Sequence, residues 1–269
     1  MWQQLKIGLS LVSDTHGQNY IRVHNILQNN KVNPEESAII ILGDAGFNHW
    51  GNKSDNKNKK LTSKLNCYIY CVRGNHDERP ENLSSSIKIY DENVNGNIYY
   101  EEEFPLIRYF IDGEIYEINN HKILVLGGAY SVDKNFRLKN HLPWFPQEQL
   151  SKDKMEDINL KIINNTVDFV FSHTCPYSWR PTDLFLSHID QSSVDTTMEK
   201  WLEQLKECFN WGVWCFGHYH DDRIERPYVE QYFQDYENLE NIWQRWQKYK
   251  ETGYLDYWLK KSPNFYMGE

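Results

Sequence analysis

Residues 67–77 have the sequence CYIYCVRGNHD, and the rest of the chain is best interpreted outward from this stretch. Its first half is an apolar run with aromatic and β-branched residues, which predicts a buried strand. The strand ends at Gly74, where the backbone can turn sharply. Asn75, His76 and Asp77 then present an amide, an imidazole and a carboxylate. Because open α/β sheets place active sites beyond the carboxyl ends of their strands, these are candidate metal ligands or proton-transfer groups, with an ordinary polar turn as the alternative.

The composition is that of a soluble globular protein. The chain has 269 residues, of which 40% are hydrophobic and 25% charged, enough for one large α/β domain or two small ones. The formal net charge of -9 argues against a general polyanion-binding surface, although it leaves a local basic groove open. Nucleic acid is therefore a conceivable substrate and not an expected stable partner.

Cysteine usage and the N-terminal sequence bear on location. Five cysteines without regular spacing argue against a disulfide framework. No apolar run reaches the length of a membrane span, so we expect no membrane association. The first residues carry one basic side chain before a short apolar segment, which predicts a first strand and not a signal peptide. The cytoplasm is the expected location.

The same arrangement of strand and polar turn occurs twice before residue 67. Residues 6–12 predict a strand that leads into Asp14 and His16, which are two positions apart and share one side of an extended chain. A helix-capping Asp14 is the alternative interpretation. Residues 38–42 (AIIIL) predict a strand covered on both faces, and it ends at Asp44.

A strand followed by a polar turn occurs twice more in the second half of the chain. Residues 167–171 predict a strand that precedes His173, and residues 213–216 predict one that precedes His218 and His220. Between the halves, Asn-Gly and Asp-Gly turn signals separate short strands. These are predicted at residues 87–90, 98–100, 106–110, 114–118 and 122–126.

The remaining segments predict helices, one loop and a simple domain organisation. Helices are predicted over residues 20–27, 147–163, 193–209 and 237–249. Residues 51–60 (GNKSDNKNKK) predict a solvated, mobile loop whose lysines could meet an anionic substrate. No repeat or linker is evident, so we expect one domain over 1–230 with a C-terminal helical extension over 231–269 packed on it.

Five strand ends thus carry a constellation of potential metal ligands. Its members are Asp14, His16, Asp44, Asn75, His76, His173, His218 and His220. Mixed carboxylate, imidazole and amide donors suit Mn, Fe, Zn, Co or Ni better than Ca or thiolate-bound Zn. Two such ions about 4 Å apart can share one carboxylate, bind phosphoryl oxygens and generate a hydroxide nucleophile.

The motif series DTHG, GD, GNHD, SH and GHYH, which spans residues 14–220, resembles the calcineurin-like metallophosphoesterase superfamily. The resemblance implies a four-layer α/β/β/α sandwich with two mixed β-sheets flanked by helices. It also implies two divalent transition-metal ions, with Mn as first choice. The implied activity is hydrolysis of a phosphomonoester or phosphodiester by attack of a metal-bound hydroxide.

The resemblance further implies a role for each site residue. Asp14, His16, Asp44 and His220 would hold the first metal, with Asp44 bridging. Asn75, His173 and His218 would complete the second metal. His76 would protonate the leaving oxygen or stabilise the transition state.

The sequence departs from one branch of that superfamily. Protein Ser/Thr phosphatases usually extend the second motif as GD-x-x-D-R-G, whereas Asp44 is followed here by AGFN. This argues against a protein phosphatase, which stays an alternative together with a non-catalytic phosphate- or metal-binding module. Arg73, Arg137 and Arg180 are candidate phosphate contacts, each with a structural role as the alternative.

Overall fold

A computed structural model describes residues 8–253 of the chain, apart from 186, 188, 189 and 227. The predicted first strand is observed from Gly8, and its first two positions lie outside the described residues. Residues 254–269 of the predicted C-terminal extension also lie outside them.

Strands form where the sequence has its apolar runs, and the described residues build two mixed sheets from them. The seven-stranded sheet has the order β13-β1-β2-β3-β6-β5-β4. Neighbours from β1 to β6 in this order are parallel, and the outer pairs are antiparallel. Its strands are β1 (Gly8–Val12), β2 (Ser37–Leu42), β3 (Tyr68–Val72), β4 (Ser86–Asp91), β5 (Gly96–Glu101), β6 (Ile107–Phe110) and β13 (Glu237–Asn238).

The six-stranded sheet has the order β11-β12-β10-β9-β8-β7 in the described residues. Strands β8, β9, β10 and β12 are parallel to one another, and the two edge strands are antiparallel to their neighbours. The strands are β7 (Ile115–Ile118), β8 (His121–Leu126), β9 (Thr166–Ser172), β10 (Asn210–Phe216), β11 (Arg223–Arg226) and β12 (Val229–Gln231).

Helices cover the outer face of each sheet and give the four layers that the family resemblance implies. Alternation along β2 sends Ile39 and Ile41 toward α1, while Ile40 faces the core between the sheets. On the other side, α4 and α5 pack on β8, β9 and β10. The helices are α1 (Asn19–Asn30), α2 (Lys53–Ser63), α3 (Lys134–Lys139), α4 (Lys152–Ile162), α5 (Thr197–Leu205) and α6 (Leu239–Thr252).

The prediction of a loop at residues 51–60 is wrong, because most of this segment belongs to helix α2. Asn52 caps this helix by accepting a hydrogen bond from the backbone nitrogen of Ser54 at 2.8 Å. Its buried face consists of polar side chains, including Lys59, whose Nζ lies 2.5 Å from Oε1 of the equally buried Glu101. That lysine is therefore occupied inside the protein and does not meet a substrate.

Two predicted helices begin too early. The helix predicted from 147 begins at Lys152, after the Ser151 side chain caps it. The helix predicted over 193–209 spans Thr197–Leu205, because the Asp195 carboxylate accepts the backbone N–H of Thr197 at 2.9 Å. The short helix α3 and the strands β11 to β13 were not predicted.

The C-terminal part of the described chain packs against both sheets. Strand β13 pairs antiparallel with β1, and Leu239 and Ile242 of α6 are buried in the core between the sheets. None of the helices formed by the described residues is long and apolar enough to cross a membrane.

Candidate metal centre

Five turns bring the predicted site residues together at one end of the sandwich. Strands β1, β2 and β3 are parallel neighbours, as are β9 and β10, so their carboxyl ends meet at one edge. Backbone hydrogen bonds join the turns, from Asp14 N to Gly43 O at 3.1 Å and from Gly217 N to His173 O at 2.9 Å. The two sheets are joined where His218 N donates to Asp14 Oδ2 at 2.9 Å.

The backbone at these turns is strained. Five of the seven predicted metal ligands have a left-handed φ, a region that non-glycine residues rarely adopt and that costs about 1–3 kcal/mol each. These are Asp14 (50°), His16 (43°), Asp44 (51°), His218 (72°) and His220 (53°). Because five such residues lie in one cluster, the turns are a candidate functional site.

Two glycines permit the close approach of these turns. A Cβ added to Gly74 would collide with the Asp44 carboxylate, and one added to Gly217 would collide with the Ser13 hydroxyl and the Asp14 carboxylate. The glycine in each motif is therefore required because a ligand from another strand occupies the space of its side chain.

Asp14, His16 and His220 form a partly exposed cluster, which we call the outer group. The Nε2 atoms of the two imidazoles lie 2.9 Å apart. They lie 3.8 Å (His16) and 3.4 Å (His220) from Asp14 Oδ1. That buried oxygen has no hydrogen-bond partner among the described residues, whereas Asp14 Oδ2 accepts from the Ser13 hydroxyl at 2.5 Å.

Asp44, Asn75, His173 and His218 form a second, more buried cluster, the inner group. The Nε2 atom of His173 lies 2.9 Å from Asn75 Oδ1 and 3.6 Å from Asp44 Oδ2, and the His218 ring packs against it with centroids 5.1 Å apart. Asp14 is also close enough to Asp44 and His173 to share a metal with them, so it links the two groups.

Charge in the inner group points to a cation. Burial would raise the pKa of Asp44, yet the facing His173 holds it well below its usual range. Burial would likewise lower the pKa of His173, but Asp44 and Asp14 raise it to about 9. The His173 Nδ1 faces the Leu42 carbonyl at 2.8 Å, so Nε2 must either carry a second proton toward its oxygen neighbours or bind a cation.

The residues present therefore fit a pair of divalent cations. Asp14 Oδ1 lacks a partner, two imidazole nitrogens face each other beside it, and the His173 nitrogen faces oxygens only. Burial and the neighbouring His173 lower the pKa of His218 to about 3, which keeps its ring neutral and able to ligate. Imidazole, carboxylate and amide donors suit transition metals.

His76 lies at the rim of the two groups and is not one of their ligands in this geometry. Its backbone N donates to Asp44 Oδ1 at 2.9 Å. Its Nε2 atom lies 3.3 Å from Nη2 of Arg137 and 3.2 Å from Nδ2 of Asn75, which are both donors, so this nitrogen acts as an acceptor. Burial, assisted by Arg137, lowers the pKa of His76 to about 4 against the opposing effect of Asp44.

The three arginines that are candidate phosphate contacts lie in different surroundings. Arg137 reaches His76, and Arg180 stacks on Tyr177 with its guanidinium carbon 3.7 Å from the ring centroid. Arg73 is buried, with its Nε 3.2 Å from Asp112 Oδ2 and its other nitrogens on backbone carbonyls. The structure therefore corrects the expectation for Arg73, which supports the loops beneath the site and does not face a substrate.

Two residues support the site in ways that the sequence did not predict. Ser131 accepts a hydrogen bond from Asn75 Nδ2 at 2.8 Å and so turns Asn75 Oδ1 toward His173. Asp77 accepts the backbone N–H groups of Ala45 and Gly46 at 3.2 and 3.0 Å, which fixes the turn after Asp44. Asp77 was a candidate metal ligand or proton-transfer group, but its carboxylate is engaged by these two backbone N–H groups, whereas nothing local to Ser131 indicates its role.

Two clefts flank His76. The α2 cleft, of about 340 Å³, is lined by residues that include His16, His49, Trp50, Asn58, His76 and Arg137. The α5 cleft, of about 420 Å³, is lined by residues that include Asn75, His76, Asp133, Arg180, Phe185 and Tyr219. The candidate metal centre is therefore open on two sides.

Comparison with known proteins agrees with the geometry. A search of curated proteins gave no significant match. The model of the calcineurin-like phosphoesterase family matches residues 10–222, which include all five turns and all seven predicted ligands. On the strength of this match over most of its length, the chain belongs to the calcineurin-like phosphoesterase family.

Proposed function

We propose that this protein is a hydrolase that uses two divalent metal ions to cleave a phosphate ester. The observation that carries the proposal is the buried Asp14 Oδ1, which has no hydrogen-bond partner among the described residues and faces two converging imidazole nitrogens. A buried acceptor without a partner is costly, and a cation there relieves that cost.

Each group would hold one ion, with manganese as the first choice. Asp14, His16 and His220 would hold the outer ion. Asp44, Asn75 and His173, with His218 beside them, would hold the inner ion. When bound, such ions polarise a phosphoryl oxygen and lower the pKa of water, which supplies a nucleophile at neutral pH.

The chain's own residues orient the ester and manage its protons. The Arg137 guanidinium points at His76, so a phosphoryl oxygen that reaches this rim can accept a hydrogen bond from Arg137. His76 Nε2 is an acceptor in this arrangement. It becomes a donor to the leaving oxygen once it carries a proton, as the proposed role of a general acid requires.

The test combines metal content with turnover. The protein is loaded with Mn²⁺, its bound metal is measured by elemental analysis, and a panel of phosphomonoesters and phosphodiesters is assayed. We expect two ions per chain, hydrolysis of at least one ester class, loss of both with a chelator and recovery on adding Mn²⁺. Two bound ions without hydrolysis of any ester would favour the non-catalytic binding module instead.

A further inference from the structure

The two clefts meet at a dividing ridge next to the metal centre, and predicted metal ligands line the inner end of each, His16 in the α2 cleft and His218 and His220 in the α5 cleft. His76 lines both clefts. Arg137 lines the α2 cleft and Asp133 lines the α5 cleft, and they form an ion pair with Nε 2.7 Å from Oδ2. A phosphoryl group at the ridge, next to His76 and Arg137, therefore has space on both sides of it.

Each cleft is large enough for an organic substituent and offers its own aromatic surface. Both volumes lie within the usual range for small-molecule pockets. In the α2 cleft, Trp50 is 52% exposed. In the α5 cleft, Phe185 stacks on Tyr219 at 26° and the Arg180 guanidinium carbon lies 5.6 Å from the Phe185 ring centroid. Aromatic rings with a neighbouring guanidinium plane favour a planar, unsaturated group such as a nucleobase.

We propose that the substrate is a phosphodiester that straddles the ridge, with one substituent in the α2 cleft and a planar aromatic substituent in the α5 cleft. This inference rests on the proposed phosphoesterase function and names its substrate class. Hydrolysis adds one water across one P–O bond and gives a phosphomonoester and an alcohol, with the water's proton passing to the departing oxygen.

The first experiment compares two esters with the same leaving group. Thymidine 5′-(p-nitrophenyl) phosphate is the diester, and p-nitrophenyl phosphate is the monoester. With the Mn²⁺-loaded protein, we expect kcat/KM to be at least about tenfold higher for the diester, because one extra stacked group contributes about that factor. An equal or lower value for the diester would overturn the proposal.

The second experiment truncates one aromatic side chain in each cleft. We expect Trp50→Ala and Phe185→Ala each to lower kcat/KM for the diester about tenfold. The monoester has only one substituent, so only one of the two variants should lower its turnover. Tyr90→Ala is the matched control, since Tyr90 is 57% exposed on β4 and lines neither cleft.

A binding measurement keeps the result independent of turnover. Calorimetry with a non-hydrolysable methylphosphonate analogue of the diester should show weaker binding in both cleft variants and unchanged binding in Tyr90→Ala, with melting temperatures recorded for each. Unchanged diester binding in folded cleft variants would overturn the two-cleft arrangement while leaving phosphoesterase activity intact. Failure of the loaded wild-type protein to cleave either ester, or any other in the panel, would instead overturn the proposed function.

Discussion

The outer and inner groups use similar ligands in contrasting surroundings. In the outer group, the side chains of His16 and His220 are 36% and 49% exposed. In the inner group, those of His173 and Asp44 are 0% and 2% exposed. The inner imidazole is also fixed by the Leu42 carbonyl, so its orientation is set by the backbone of β2. The difference predicts that the inner group would hold its proposed ion in a preorganised site, whereas the outer group would exchange its proposed ion with solvent more readily.

Asp14 connects the outer group and the inner group. Its Oδ2 atom is held by the Ser13 hydroxyl and by the backbone of His218, while Oδ1 faces the outer imidazoles. It is also within metal-sharing distance of Asp44 and His173. The predicted bridge, Asp44, engages the backbone of His76 through Oδ1 and faces His173 through Oδ2. Substitutions can therefore show which residues support the outer ion and which support the inner ion.

The largest effect is expected from Asp44→Asn. The substitution removes a negative charge from the inner group, and the bridging role that the family resemblance implies for Asp44 would make both ions depend on that charge. We expect both ions to be lost or greatly weakened and turnover to fall to background, while the fold survives. Elemental analysis measures the bound metal, ester hydrolysis measures turnover, and circular dichroism measures whether the fold survives. Retention of two ions with a near-normal rate would show that Asp44 is only a turn residue.

The next largest effect tests whether the groups are separable. We expect His220→Ala to remove the outer ion and leave one inner ion per chain, because the His220 Nε2 atom lies 3.4 Å from Asp14 Oδ1 and 2.9 Å from His16 Nε2, which both belong to the outer group. Metal content after loading and gel filtration provides the measurement. The control is His24→Ala, since His24 stacks on Tyr20 in helix α1 and lies outside both groups. Loss of both ions in His220→Ala alone would mean that the two groups form one cooperative site.

Local sequence was sufficient to predict strands β1 to β10 and the convergence of the polar turns that follow five of them. Continuous apolar runs such as residues 38–42 become strands buried on both faces, and the polar residue that ends each one is fixed to one edge of the sheet. The order of the five motifs then predicted convergence without knowledge of any contact. The fold class and the family were confirmed on this basis.

What the sequence could not predict depends on partners that are distant along the chain. Helix α2 has no apolar face, and its buried Lys59 is stabilised by Glu101, 42 positions away. Arg73 adjoins the GNHD motif, yet its ion pair with Asp112 directs it away from the site. A periodicity of apolar residues does not detect a buried ion pair, so both segments were misinterpreted for the same physical reason.

A smaller effect, on rate alone, is expected from His76→Asn. The His76 side chain meets the Asn75 amide, its ring centroid lies 6.0 Å from that of His16, and its backbone nitrogen donates to Asp44. We therefore expect both ions to remain bound and kcat to fall by about 10²–10⁴-fold, the usual contribution of a positioned general acid. The loss should be smaller for a p-nitrophenyl ester than for an alkyl ester, since nitrophenolate needs little protonation. An equal loss on both esters would assign His76 an electrostatic role, and loss of metal would make it a ligand or a support.

The smallest effect is expected from Ser131→Ala, and it tests the preorganisation that distinguishes the inner group. The Ser131 hydroxyl accepts a hydrogen bond from Asn75 Nδ2 and thereby holds Asn75 Oδ1 toward His173. Removing such a supporting contact typically weakens metal affinity about 10–100-fold. We expect that loss at the inner ion only, measured by competition with a chromophoric chelator, with the outer ion unchanged. Ser10→Ala is the matched control, because Ser10 is also buried and accepts from an asparagine amide, that of Asn30, at 3.3 Å. Equal weakening of both ions in Ser131→Ala would mean that Asn75 supports the centre as a whole, and the contrast between a fixed inner site and an exchangeable outer site would then fail.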